Sequence, residues 1–233
     1  MTRARAIAEA VGDSRGESYA AGLTGWVYVL QGEYEQGIET CRRAVEISRA
    51  PVTSAITLGF LGAAYHESGD AAGAIPPLEQ STRQLGEFGY TAMQGHFTAT
   101  LSEAYLDAGH IDKAGQLALA ALDISAGVGY GVGIGDARRA LGRSALARGA
   151  LSEAEAQLTQ AVGIFRSIHA RFRAARTLLV LAQVARDQAK TEAVKAHLVE
   201  AYDTFTSLRV PTHVARTEQL AKELGVPLPI GSA

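Results

Sequence analysis

The 233-residue chain carries 22 Lys and Arg against 24 Asp and Glu, with 47% hydrophobic and 6% aromatic residues. That balance excludes a disordered chain and gives no overall electrostatic pull toward nucleic acid or an anionic membrane. A single cysteine, Cys41, excludes an internal disulfide and a cysteine-based zinc cluster.

In chain order, the opening MTRARAIAEAVGDSRGE is charged throughout and lacks the apolar run of a signal peptide. No stretch approaches the ~20 uninterrupted apolar residues of a membrane span, so a soluble, cytoplasmic protein is expected. Five similar segments follow, from Leu23, Phe60, Thr100, Ala140 and Val180. A small residue stands at Gly25, Gly62, Ser102, Gly142 and Ala182, spaced by 37, 40, 40 and 40 residues. Three residues on come Tyr28, Tyr65, Tyr105, Ala145 and Ala185; seven on come Gly32, Gly69, Gly109, Gly149 and Ala189. Nineteen on, small residues return at Ala44, Ser81, Ala121, Ala161 and Ala201.

These columns predict a pair of helices per repeat. The small residue allows the paired helix to approach, and the Gly seven residues later closes the first helix in a left-handed turn. Asp70, Asp112 and Ser152 suit the N-cap of the second helix. Apolar residues recur at helical spacing, as in Leu151, Ala154, Leu158, Ala161 and Phe165, and no strand is predicted. Two irregularities interrupt the pattern. Pro76-Pro77 should kink or delay its helix. GVGYGVGIG, with glycines at 127, 129, 131, 133 and 135, reads as a helix-breaking connector or a hinge and not as a dinucleotide fingerprint.

The period continues at both ends. Ala4 falls in the column of Ala44, so residues 1–10 read as the partial second helix of a truncated preceding repeat. Ala215-Arg216-Thr217 echoes Ala175-Arg176-Thr177 and starts a sixth first-helix running to about Leu224. The solenoid is expected over residues 11–226 and a flexible tail over 227–233.

The columns resemble the tetratricopeptide repeat (TPR) family: a small residue, an aromatic, a Gly turn and two small positions across a helical pair. The resemblance implies an all-α, right-handed superhelical solenoid of antiparallel helix pairs, about five repeats plus flanking helices. Two features depart from it. The family's usual Pro at the repeat end is replaced by Arg49, Gly86, Ala126, Arg166 and Thr206, and the period is 40 rather than 34. The longer period is similar to repeats in bacterial signalling proteins and in maltose-activator-type regulators, where the role is sensing or partner binding.

A search for chemistry finds no phosphate loop, no H-E-x-x-H helix and no G-x-S-x-G elbow, and the six histidines are scattered. Hence no catalytic residue, no cofactor and no metal site is expected, and Cys41 reads as a small core residue. If the first helices line the concave face, as the family implies, the partner-binding groove comprises Tyr19, Trp26, Phe60, His66, His96, Glu103, Arg139, Arg143, Arg176, Gln183 and Arg186. Val29, Ala63, Ala99, Leu106, Asp136 and Leu179 share those faces. The groove runs from aromatic to arginine-rich, and Trp and Arg are enriched in binding hot spots. Gly22 and Trp26 stand where a chaperone-type carboxylate clamp needs Lys and Asn. The leading expectation is a non-catalytic module holding a protein or peptide segment, part apolar and part acidic, within a larger signalling or regulatory protein. A small-ligand-sensing domain of a transcription regulator or signalling ATPase is one alternative, and a self-associating scaffold forming a homo-oligomer is another. No nucleic acid or membrane partner is expected.

Overall fold

Eleven α-helices organise residues 12–228, the part described by the computed structural model. They are α1 (Ser14–Gln31), α2 (Tyr34–Ile47), α3 (Pro51–Glu67), α4 (Ala71–Glu87), α5 (Thr91–Asp107), α6 (Ile111–Gly127), α7 (Gly131–Ala147), α8 (Leu151–Ser167), α9 (Arg171–Asp187), α10 (Thr191–Leu208) and α11 (Pro211–Glu223). Among the described residues there is no strand. Each odd-numbered helix through α9 packs most extensively on its successor, giving five helix pairs, and α11 stands as the first helix of a sixth. The truncated repeat expected over residues 1–10 lies outside the described residues, as does the tail beyond residue 228.

The small column does the work its residues allow. A methyl group on Gly25 would stand 2.5 Å from Cys41 Sγ and 2.7 Å from the Gly37 carbonyl, and one on Gly142 would stand 2.5 Å from Leu158 Cγ. Backbone therefore lies nearly on backbone where the two helices of a pair cross. At Ser102 the side chain turns the same proximity into a bond, its hydroxyl donating to the Ala114 carbonyl at 2.7 Å.

Every first helix closes the same way. Gly32, Gly69, Gly109, Gly149 and Ala189 all adopt positive φ, between 59° and 92°. The next amide then reaches back to the carbonyl of the third column: Glu33 to Tyr28, Asp70 to Tyr65, His110 to Tyr105, Ala150 to Ala145 and Lys190 to Ala185, at 2.8–3.0 Å. This bonding satisfies carbonyls that a helix end would otherwise leave free. Gly89, Gly129, His169 and Arg209 close four of the second helices in the same left-handed way. The first junction differs: Ser48 and Ala50 are extended and Pro51 opens α3. Proline at the first helical position supplies the right φ and loses no bond; the shorter 37-residue spacing comes from α2, whose 14 residues are three fewer than the 17 of α4, α6 and α8.

Three expectations are corrected. Asp70 caps α4, accepting from the Gly73 amide at 2.7 Å, but Asp112 and Ser152 lie inside the first turns of α6 and α8. Pro76 and Pro77 lie within α4, which keeps the 17 residues of its neighbours and is not delayed. The glycine run is a connector only around Gly129, where α6 closes: Gly131, Gly133 and Gly135 belong to α7, and a Cβ on Gly133 or Gly135 would collide with Ser125 or Phe165. They are close-packing positions, which removes the motive for a hinge. At the far end, Val226 and Leu228 pack against Ala182, Leu198 and Ala221.

Gly25→Ala is therefore expected to cost about 1–3 kcal/mol by overpacking. Gly163→Ala, on α8 with nothing within 4 Å of the new methyl, should stabilise by about 0.5–1 kcal/mol. Chemical denaturation of the two variants checks both signs.

Candidate functional site

The concave side is built by α1, α3, α5, α7 and α9, and α11 closes it. Two cavities adjoin there, of about 270 and 330 Å³, sharing His66, Glu67, Arg139 and Arg176 at their boundary. The first is aromatic. Tyr19, Leu23 and Trp26 of α1 and Phe60 of α3 line it, together with Met93, Phe97, Tyr130 and Phe172. Tyr19 meets Phe60 edge-on at 6.0 Å and Phe60 meets Phe97 at 5.8 Å, so the wall is a stacked aromatic series. The second cavity is basic, lined by Arg143, Arg176 and Arg216 with Asp107, Gln183 and His213.

The floor is a set of buried ion pairs. Asp136 accepts from Arg173 at 2.6 Å and pairs with His96 at 2.9 Å. Glu103 accepts from Arg139 at 3.0 Å, with Arg143 at 3.4 Å. Asp107 holds Arg143 at 2.7 Å and His66 at 2.8 Å. All of these join neighbouring repeats. Glu67 differs: only 4% exposed at the end of α3, it meets Arg176 of α9 at 2.9 Å and Arg216 of α11 across the superhelix. The Arg216 guanidinium also donates to the Glu67 carbonyl at 2.8 Å and the Tyr34 hydroxyl at 3.2 Å, while Thr212 donates to the Leu30 carbonyl at 3.3 Å. The last helix thus fastens onto the first two repeats.

Burial alone would raise the Glu67 carboxyl, but Arg176, His213 and Arg216 outweigh it and hold it at about 2. Asp107 reaches about 2 as well, with burial overcome by His66 and Arg143. Glu103 and Asp136 are lowered against burial by Arg139 and Arg173 respectively. Burial draws Arg139 down to about 10, still charged at neutral pH. His213 is wedged between Phe172 and Phe205, each 4.9 Å away, with its Nε2 3.4 Å from Glu67. Burial, with Arg176 and Arg216 adding to it, pulls it to about 4 despite Glu67. Four polar atoms around these cavities, Arg139 Nε, Glu103 Oε1 and both ring nitrogens of His213, are buried without a hydrogen-bond partner.

Of the eleven groove residues read from the sequence, ten line these two cavities: Tyr19, Trp26, Phe60, His66, His96, Glu103, Arg139, Arg143, Arg176 and Gln183. Arg186 does not; it is exposed and donates to its neighbour Asp187 at 2.7 Å. Val29 is also displaced, being fully buried in the core beside Cys41. Glu67, Asp107, Tyr130, Phe172, Arg173, His213 and Arg216 were not anticipated. His66 and His96, two of the scattered histidines, each meet a carboxylate, Asp107 and Asp136 respectively. A more open depression of about 710 Å³ on the outer face of α10 is lined by Lys195, Glu200, Asp203 and similar solvated residues. Among the described residues no group of three or more His, Cys, Asp or Glu could hold a metal ion, and no helix is long and apolar enough to cross a membrane.

Glu67→Gln should cost about 3–5 kcal/mol in denaturant unfolding, because it leaves the largely buried Arg176 guanidinium without its counter-charge and loosens the Arg216 contact. Since His213 titrates below its ordinary value of 6.5, the unfolded chain binds its proton first. Its contribution is complete above pH 6.5 and lost as pH falls toward 4, a loss on the order of 3 kcal/mol. Comparing the pH dependence of stability in wild type and His213→Asn isolates that loss, which the variant should lack.

A tetratricopeptide repeat family model matches residues 22–51, which span most of α1 and all of α2. Among curated proteins none matches the sequence. Solved structures do match. A Rap protein complexed with competence and sporulation factor superposes with a TM-score of 0.77 at 14% identity, over 91% of this chain and 59% of that one. The Rap conjugation gene regulator of plasmid pLS20, in complex with the Phr* peptide, gives 0.70 at 15%, over 90% and 58%. A signal transduction ATPase with a tetratricopeptide repeat sensor from Pyrococcus horikoshii gives 0.64 at 15%, over 93% and 33%. The chain thus spans about three fifths or less of these proteins, and at such identity the likeness is one of fold. The match at residues 22–51 and the helix pairs that repeat its geometry make the described chain a tetratricopeptide-like helical solenoid.

Proposed function

We propose that the chain is a non-catalytic binding module that holds a peptide or a partner's segment in its concave channel. The observation that carries this reading is the aromatic wall. Tyr19, 41% exposed, and the half-buried Trp26 line a cavity on the concave side with Phe60, so an aromatic series that begins in the core at Phe60 continues to an open face at Tyr19. Aromatic residues give large contact area at low entropic cost, and they dominate hot spots in binding sites. Two structural relatives were solved with a peptide or factor bound, which supports the same reading by fold analogy.

The arginines act differently from the sequence expectation. Arg139, Arg143, Arg173 and Arg176 already face Glu103, Asp107, Asp136 or Glu67. They are poor anchors for a strongly acidic segment, and the bound segment is chiefly apolar. A sensor of small ligands is the second reading, favoured by the modest size of the two cavities and their closure by α11. A place in a larger signalling or regulatory protein accords with either reading.

Peptides selected from a random display library against the full chain provide the test. Their affinity, followed by anisotropy of a labelled peptide, should fall about tenfold or more in Trp26→Ala. It should be unchanged in Leu119→Ser, an exposed position on α6. Peptides bound equally by wild type and Trp26→Ala would place recognition elsewhere.

A further inference from the structure

We propose that the basic cavity at the α11 end of the channel is a subsite for one carboxylate group of an otherwise apolar ligand. This rests on the reading of the channel as the binding site and gives the chemistry of its occupant. Four guanidinium groups meet there: Arg139, Arg143, Arg176 and Arg216. Three carboxylates oppose them. Glu103 takes Arg139 and Arg143, Asp107 takes Arg143, and Glu67 takes Arg176 and Arg216. Four guanidiniums against three carboxylates leave one positive charge over.

A second observation points the same way. Arg139, whose side chain is about nine-tenths buried, lines both cavities, and its Nε has no acceptor. A buried donor without a partner is costly, and an anionic oxygen is the partner that satisfies it best. The unpartnered Glu103 Oε1 belongs to a carboxylate that already meets two guanidiniums through its other oxygen, so it adds no negative surplus.

The surplus of one sets the ligand's charge. A monocarboxylate neutralises it, whereas a phosphate dianion overshoots it and faces Asp107. The adjoining aromatic cavity then receives the apolar remainder, so the ligand lies with its acid toward α11 and its apolar end toward Trp26. A free peptide C-terminus and a small apolar acid present the same chemistry. Because Arg216 belongs to α11, the subsite is complete only while that helix is docked, and occupancy fastens it.

Calorimetric titration of the full chain tests this with four probes: 4-phenylbutyrate, its amide, and an N-acetylated Leu-Leu-Phe tripeptide as free acid and as amide. Inorganic phosphate serves as the charge control. The acid of at least one pair should bind about tenfold or more tighter than its amide, and phosphate more weakly than that acid. The pair showing the preference separates peptide from small acid as source. Gln183 lines the same cavity two turns beyond Arg176 on α9, so Gln183→Glu places an internal carboxylate there without removing an ion pair. That variant should lose the acid preference while keeping its melting temperature or raising it. Acids and amides binding alike overturns the subsite, as does binding by none of these probes at millimolar concentration. Display-selected peptides that still depend on Trp26 would leave the channel reading standing in either case.

Discussion

The architecture turns on the carboxylate of Glu67. A helical solenoid is ordinarily one-dimensional: each repeat touches only its neighbours, and curvature accumulates from small rotations. Here one buried acid in the second repeat meets Arg176 in the fifth and Arg216 in the sixth. Those contacts fix the curvature by joining its ends, and they turn an open groove into a channel with a charged floor. His213 beside the same acid, sandwiched by Phe172 and Phe205, gives α11 an apolar anchor as well as an ionic one.

Burying so many charges is expensive unless each is paired and bonded. The ladder solves this by stepping from repeat to repeat: His96 with Asp136, Asp136 with Arg173, Glu103 with Arg139, Asp107 with Arg143. Each step joins side chains on adjacent first helices, which a 40-residue period brings side by side. The consequence for function is a channel whose arginines are mostly occupied. In the reading proposed above, affinity for a partner rests on Tyr19, Trp26 and Phe60 and on the small positive surplus near α11, not on a broad basic field.

Much of this could be read from the residues alone, because a repeat prints its geometry as columns. Gly25, Gly62 and Gly142 announced close helix crossings, and Gly32, Gly69, Gly109 and Gly149 announced left-handed closures. Ten groove residues followed from stepping three and four along each first helix from the small column. The pairs one repeat apart were also within reach, since His96 and Asp136 differ by one period. Glu67 with Arg176 and Arg216 was not. Their meeting depends on how far the superhelix curves over four repeats, and that sum of small rotations leaves no local mark. The glycines of α7 misled for the opposite reason: a run of glycine suggests a loop, while here it is neighbouring Ser125 and Phe165 that require the missing side chains. Arg186 failed because it points to solvent beside Asp187, while Val184 and Ala185 take the buried face of that last turn of α9.

Closure of the solenoid by α11 is the claim on which the channel stands, and a distance across the closure tests it most directly. Cys41 is fully buried, with burial pushing its thiol up to about 12, so spin labels at Glu35→Cys and Ala215→Cys attach without competition. Electron–electron resonance between these labels, on α2 and α11, should give a single narrow distance distribution that broadens in Glu67→Gln. A broad or longer distribution in the unaltered chain, insensitive to Glu67, would mean an open superhelix with α11 undocked and would contradict the account.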